Sequence, residues 1–317
     1  QVARGSVFIV DECSMIDLRL MHALLHSVPR FAQIILVGDA DQLPSVGPGR
    51  VFADILESCT LPCAKLDQVY RQQAGSLLVQ NSHRLLHRES PLEAEPGEPA
   101  DFYWVESTSP EQTLNLIERL ALDRIPARFG AKATHDLQVL SPMKRGPLGT
   151  ENLNIFLQKC LNPGGQVLEL GGGLLRAGDR VLQLANNYEL DLFNGDVGRI
   201  EGESEEGVLV HYPGRPVVAY PGGELHDIAL AYACTVHKAQ GSEYPYVIMP
   251  VYPSHRHMLS LQLMYTALTR ARQLCVWIGP RAFLRYLLEH PVHNPRHTLL
   301  SERLRSLAEH KKNGLPF

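Results

Sequence analysis

No apolar run in the sequence approaches the roughly 20 residues that a helix needs to cross a bilayer, so a helical membrane span is excluded and no membrane partner is expected. No signal peptide is visible at Gln1. There is no surplus of positive charge: the formal net charge is −4, and any surface for a polyanion must therefore be local. Paired cysteines are also lacking. Of Cys13, Cys59, Cys63, Cys160, Cys234 and Cys275, only Cys59 and Cys63 are close, and no second pair completes a zinc site. Free thiols in a reducing cytoplasm are the expectation. The histidines do not fall at helical ligand spacing, and His255 and His257 read as loop residues. One further absence matters most. No G-x-x-x-x-G-K-S/T loop, which cradles nucleotide phosphates, occurs anywhere in the 317 residues.

What is present centres on Val7 to Gly49. Two short β-branched runs, Val7–Val10 and Ile34–Val37, read as buried parallel strands. Each ends in acid, Asp11-Glu12 and Gly38-Asp39. Between them Ile16–Val28 has helical spacing, with Ser14 as the expected N-cap. Strand, helix, strand is a βαβ unit, and ligands of open α/β sheets bind at the carboxyl ends of strands. An Asp-Glu pair there suits nucleotide hydrolysis: one carboxylate holds Mg²⁺ directly or through water, and the other orients the attacking water. A helix cap or solvated turn is the plain alternative. Because the phosphate loop is missing, either this is not a nucleotide site or the chain is the C-terminal part of a longer protein.

Further along, Val51–Leu56 and Ser76–His87 read as helices, and Ser90–Ala100 as a loop rich in Pro and Glu. Asp101–Val105 is a strand. Ser109-Pro110-Glu111-Gln112 starts a helix that runs to about Arg124. Leu137–Leu140 is a buried strand, and Thr150 is the expected cap of a helix carrying Leu153, Phe156, Leu157, Cys160 and Leu161. From Gln166 to about His226 the pattern changes to short strands and many glycines, which predicts a small inserted β-barrel. The α/β alternation resumes at Ile228–Ala233, with strands at Tyr246–Val251 and Leu274–Ile278, a helix at Leu259–Arg272 carrying both Arg270 and Arg272, and another at Ala282–His290. A last amphipathic helix is expected at about Leu299–His310.

Six motifs in order resemble those of superfamily 1 helicases: VDECSM, VGDADQLPSVGPG, LDQVYRQ, LSPMKRGPLGTENLN, YACTVHKAQGSE and YTALTRAR. Within that superfamily TVHKAQGSE and GDADQLPSVGPG look like the RecD-type branch. NNYELDLFNGDVG and PMKRGPLGTENLN look most like the solo bacterial RecD-like helicases, which act without RecB and RecC partners. The missing phosphate loop departs from the pattern. The resemblance implies an α/β fold of P-loop NTPase (RecA-like) parallel sheets: the C-terminal part of a first motor domain (1–66), and a second motor domain (67–165 and 227–317) interrupted by an SH3-like barrel (166–226). It implies a monomeric motor that uses ATP and Mg²⁺ to translocate 5′ to 3′ on single-stranded DNA and to unwind duplex at junctions, closing two domains on ATP.

By motif, Asp11 would position Mg²⁺, Glu12 would act as general base, and Gln42 would sense the γ-phosphate. Arg71 and Arg270 would reach it across the cleft, where a planar, permanent cation meets the charge spread over the transferring group. Arg272 would be structural or solvent-facing. Gly241 and Glu243 would contact the nucleotide. DNA contacts are expected from Thr235 and His237, at a strand end beside a helix start, from Lys144 and Arg145 on a Gly/Pro loop, and from Asn187, Tyr188 and Asn194 in the barrel, where Tyr188 would stack on a base. Two other readings remain open: a non-enzymatic DNA- or protein-binding module of the same fold, and the RecD subunit of a multi-subunit exonuclease V.

Overall fold

A computed structural model describes residues 5–66, 75–95, 97–292 and 296–312. The chain divides into two compact units, Gln1–Gln73 with Pro291–Phe317, and Ala74–His290. In chain order the elements are β1 (Val7–Val10), α1 (Leu18–Ser27), β2 (Gln33–Leu36), α2 (Val51–Ser58), α3 (Leu77–Leu86), β3 (Phe102–Val105), α4 (Pro110–Arg119), α5 (Ile125–Phe129), α6 (Ala133–Asp136), β4 (Leu137–Ser141) and α7 (Thr150–Leu161). Then come β5 (Arg180–Gln183), β6 (Val197–Ser204), β7 (Gly207–His211), β8 (Val218–Tyr220), β9 (Ile228–Leu230), β10 (Ala233–Thr235), β11 (Tyr244–Pro250), α8 (Leu261–Thr269), β12 (Ala271–Ile278), α9 (Arg281–Glu289) and α10 (Leu300–Lys312).

In the first unit β1 and β2 pair in parallel, Val7 opposite Gln33 through Val10 opposite Leu36. Cys13, Ile16, Met21, Val51 and Phe52 form its core, with Val10, Leu24, Leu36, Ile55 and Leu300 packed around them. The expectation of strands buried on both faces is corrected: Val7, Ile9 and Ile35 are exposed, because the described core covers one face of this sheet only. The N-cap is also corrected. Ser14 lies in a 3₁₀ turn, and the cap of α1 is Asp17, whose carboxylate accepts from the Leu20 N–H at 2.7 Å. The tail belongs here rather than with the second motor domain: α10 packs on α2, Arg305 donates to Glu57 O at 2.5 Å, and Thr298 donates to the buried Asp54 carboxylate at 2.8 Å.

The second unit is built on a five-stranded parallel sheet in the order β10-β4-β11-β12-β3. Such a sheet with helices on its faces reads as continuous apolar runs. Val247, Ile248 and Met249 of β11 and Cys275, Trp277 and Ile278 of β12 are fully buried. The helix that opens at Ser109 runs past Arg124: a π-turn over Leu120–Arg124 carries α4 into α5, ending at Phe129. For α7 the residue in the cap position is Gly149, and Thr150 is the first helical residue.

Between α7 and β10 the chain forms a five-stranded antiparallel sheet, β8-β7-β6-β5-β9, around Val181, Ile200, Val208, Val210 and Tyr212. This insertion is longer than its glycine-rich composition indicated. Ile228–Leu230, expected to resume the α/β alternation, closes the barrel sheet against β5. The parallel sheet resumes at Ala233.

Candidate functional site

The acidic pair lies at the carboxyl end of β1, as the βαβ pattern requires. Asp11 is exposed and its Oδ1 accepts from the Glu12 N–H at 2.8 Å. Glu12 has φ 52° and ψ 39°, a left-handed conformation unusual for a side chain larger than Gly. The following turn is anchored by Cys13 N–H donating to Val37 O at 2.9 Å, and Val37 N–H donates to Val10 O at 2.8 Å. The two strand ends are thus stitched together. Burial, and after it the charges of Asp11 and Glu12, push the Cys13 thiol up, so it stays protonated and serves as core.

Two glycines explain why the segment after β2 is written as it is. A Cβ on Gly38 would lie 3.0 Å from Cys13 N, 3.1 Å from Ser14 N and 3.2 Å from the Phe52 ring. A Cβ on Gly47 would overlap the Asp17 carboxylate, and Pro48 O accepts from Leu18 N–H at 3.0 Å. The loop therefore lies directly over the acidic turn and the start of α1. Within it Asp39 accepts from Asp41 N–H at 2.9 Å and from Gln42 Nε2 at 3.3 Å. Gln42 Oε1 and Ser14 Oγ are buried and have no hydrogen-bond partner among the described residues. Such buried, unpaired polar atoms fit a bound polar ligand or water.

Arg296, returning from the tail, fixes the far end of the loop. It donates to Gly47 O and Gly49 O at 2.7 Å each and to Ser45 O at 2.5 Å. No feature of local sequence announces this residue; it arrives from about 250 positions away.

In the second unit, β4 and β10 pair with Thr235 opposite Ser141. Lys144 and Arg145 therefore rise beside Thr235, His237 and Lys238. The expected helix start after Thr235 is corrected: residues 236–241 are a run of turns. The N–H groups of Val236, Lys238, Ala239, Gln240 and Ser242 already have acceptors within the unit. Side chains, rather than a helix terminus, must make any anion contact here. Burial lowers the His237 imidazole; burial, then the charge of Lys144, lowers the Lys238 ammonium. Lys238 is exposed and was missed as a candidate, although it stands inside the TVHKAQGSE motif.

Arg270 and Arg272 do not share a helix. α8 ends at Thr269, and Arg272 is on β12, where it pairs with Glu243 at 2.5 Å. Arg270 is buried and donates to Thr266 O at 3.2 Å and Ser242 O at 3.1 Å. Gly241, at φ 75°, lies in the turn that leads to Glu243. Arg71 lies outside the described residues.

Asn187, Tyr188 and Asn194 occupy a hairpin at the barrel surface. Asn187 and Leu192 exchange backbone hydrogen bonds at 2.7 and 2.9 Å, and Asn194 N–H donates to Asn186 Oδ1 at 2.9 Å. Tyr188 is 79% exposed and meets Phe193 edge-on, with ring centres 6.2 Å apart.

Comparison with known proteins agrees with this geometry. Residues 1–95 match the AAA domain model, 153–212 the model of the ATP-dependent RecD-like DNA helicase SH3 domain, and 230–278 the UvrD-like helicase C-terminal domain. Two solved structures, one titled as the structural basis for DNA unwinding at forked double-stranded DNA by two coordinating Pif1 helicases, the other a Bacteroides Pif1 helicase with ADP-AlF3 and single-stranded DNA, align at TM-scores of 0.53 and 0.50. Their identities are 18% and 15%, over 98% of this chain and 75% and 76% of theirs. The fold is thus a RecA-like parallel α/β core with an SH3-like barrel.

The ATP-dependent RecD2 DNA helicase of Deinococcus radiodurans is 37% identical over 308 residues, which is 95% of this chain and 40% of that protein. The RecBCD enzyme subunit RecD of Mycolicibacterium smegmatis is 32% identical over 312 residues, which is 94% of this chain and 54% of that protein. Over nearly its whole length the chain is similar to RecD-like helicases. It spans about half the length of these two relatives or less.

Proposed function

We propose that these 317 residues are the motor portion of an ATP-dependent 5′–3′ DNA helicase that translocates on single-stranded DNA and unwinds duplex at junctions, working as a cytoplasmic monomer. The observation that carries the proposal is the locked acidic turn: Asp11 and Glu12 at the end of β1, followed by Cys13 and Ser14, against which Gly38 of the Gly38–Gly49 loop is packed. The relatives' names, an ATP-dependent DNA helicase and a RecBCD subunit, support the same reading.

Among the described residues no three His, Cys, Asp or Glu side chains gather to cage a metal. A single hard carboxylate, Asp11, fits Mg²⁺, which keeps several waters and takes one or two protein ligands. Bound Mg²⁺–ATP would supply the transferable phosphoryl group and partial neutralisation of its charge. Glu12, at the carboxyl end of β1, would orient and deprotonate the attacking water. Gln42, whose Oε1 has no hydrogen-bond partner among the described residues, would sense the γ-phosphate. By motif, Arg71 and Arg270 would supply guanidinium charge to the transferring group, Gly241 would contact the nucleotide, and Glu243 would touch its ribose. Thr235, His237, Lys144 and Arg145, joined by Lys238, hold backbone phosphates of the strand. Asn187, Tyr188 and Asn194 form a second contact, with Tyr188 stacking on a base.

ATP turnover, with and without single-stranded DNA, tests this in the full-length protein that carries these residues. Glu12→Gln is expected to lower DNA-stimulated turnover about 10²- to 10⁴-fold with an unchanged melting temperature; unchanged turnover sinks the reading in favour of a binding module. Similarity to a RecBCD subunit favours a second possibility, an obligate multi-subunit enzyme. Unwinding by the purified protein alone excludes it.

A further inference from the structure

Where the barrel meets the parallel-sheet domain, a cavity of about 100 Å³ opens among Thr134, His135, Asn162, Arg180, Arg199 and Tyr232. Arg180 and Arg199 stand directly opposite each other on the antiparallel strands β5 and β6. Like charges so placed repel. Neither guanidinium is paired with a carboxylate among the described residues. Arg180 donates to Leu137 O at 2.9 Å and His135 O at 3.4 Å, and its guanidinium lies 5.9 Å from the centre of the Tyr244 ring. Arg199 donates to Gly178 O at 3.2 Å and to His135 Nδ1 at 2.9 Å. That bond leaves the imidazole neutral, with its proton on Nε2.

The neighbouring acids do not neutralise the pair. Asp179 accepts from Gln158 Nε2 at 2.5 Å, Asn162 Nδ2 and Arg176 N–H at 2.7 Å, and Tyr232 Oη at 2.9 Å. Asp136 acts on His135 and Arg180 through its charge alone. The cavity is therefore rich in donors and cationic, and what it lacks is an anionic acceptor.

We propose that this joint binds a phosphate group, held by Arg180, Arg199 and His135, which fastens the barrel to the parallel-sheet domain. The site is separate from the proposed strand-binding cluster. It lies where β4 begins, at Leu137, whereas Lys144, Thr235 and Lys238 lie at the end of the β4–β10 pair. The phosphate has two possible sources, a free phosphate ion and a phosphate carried by a nucleic-acid strand.

The test uses this chain with inorganic phosphate, titrated at constant ionic strength against chloride. A saturable rise in melting temperature of about 3 °C at tenfold excess over Kd is expected. In Arg199→Gln, a change at an exposed position, the rise is lost; Arg199→Lys keeps part of it. His135, followed by NMR, gives a second readout. An added anion favours the imidazolium against Arg180 and Arg199, so phosphate moves its titration to higher pH, and Arg199→Gln removes that shift. Equal responses to phosphate and chloride, or a His135 titration that phosphate leaves unmoved, overturn the proposal. Short single strands with and without a 5′-phosphate then compete against bound phosphate. Displacement by the phosphorylated strand alone identifies a strand end, displacement by both identifies backbone phosphates, and displacement by neither identifies the free ion.

Discussion

Glu12 shows how one residue's backbone can matter as much as its carboxylate. A left-handed φ on a non-glycine residue costs about 1–3 kcal/mol and persists because the next residue is held to β2 by the Cys13–Val37 hydrogen bond. Glu12→Gly is therefore expected to unfold at equal or higher denaturant concentration than the parent chain while losing turnover. A clear loss of stability would show that the conformation is unstrained. His255 is 1% exposed, and burial pushes its imidazole down to about 4. The folded state then binds fewer protons than the unfolded chain, whose histidine titrates near 6.5, so this contribution is complete above pH 6.5 and is lost as pH falls toward 4. Its full size is on the order of 3 kcal/mol. Denaturant melts from pH 7 to 4 should fall more steeply for the parent than for His255→Gln, and parallel curves would refute the assignment.

At the scale of elements, motif segments owe their form to one another. Gly47 is small because Asp17, the cap of α1, occupies the space a side chain would need. Local pattern pointed to Ser14 as the cap because serine precedes the apolar periodicity. It could not show that a 3₁₀ turn intervenes and that the acidic turn consumes three more residues. Arg296 clamps the same loop through three carbonyls. Hydrogen bonds to a charged group contribute about 1.5–3 kcal/mol, so Arg296→Ala is expected to cost about 2 kcal/mol, with partial exposure reducing the charge's share. Faster amide exchange should be confined to the 45–50 loop and the start of α10. Exchange unchanged in that loop would make the clamp incidental. The turns after Thr235 hold the opposite lesson. A strand followed by polar residues read as a helix start, yet Thr235 Oγ1 and nearby carbonyls take up the N–H groups first.

At the scale of the molecule, the barrel is joined to its host domain by a buried carboxylate. Asp179 is fully buried and accepts from Gln158 and Asn162 in and beside α7, from the Arg176 backbone, and from Tyr232 ahead of β10. Asp179→Ala takes the acceptor from the Arg176 N–H and Tyr232 Oη, and one of two acceptors from Gln158 Nε2 and Asn162 Nδ2, and should cost about 2–5 kcal/mol. The barrel and parallel sheet, which should melt together in the parent, should then melt apart. A single unshifted transition would contradict the role given to Asp179. The order of strands and helices, the inserted barrel and the acidic strand ends were legible in the sequence. Periodicity and turn residues are local, and the helicase resemblance rests on six ordered motifs. What only the tertiary structure decided is non-local: β9 closes the barrel, Arg296 and α10 return to the first unit, Arg272 pairs with Glu243, and Arg180 lies opposite Arg199 on neighbouring barrel strands. Each depends on which backbone and charged groups meet across long stretches of chain, and neighbouring residues carry no record of that.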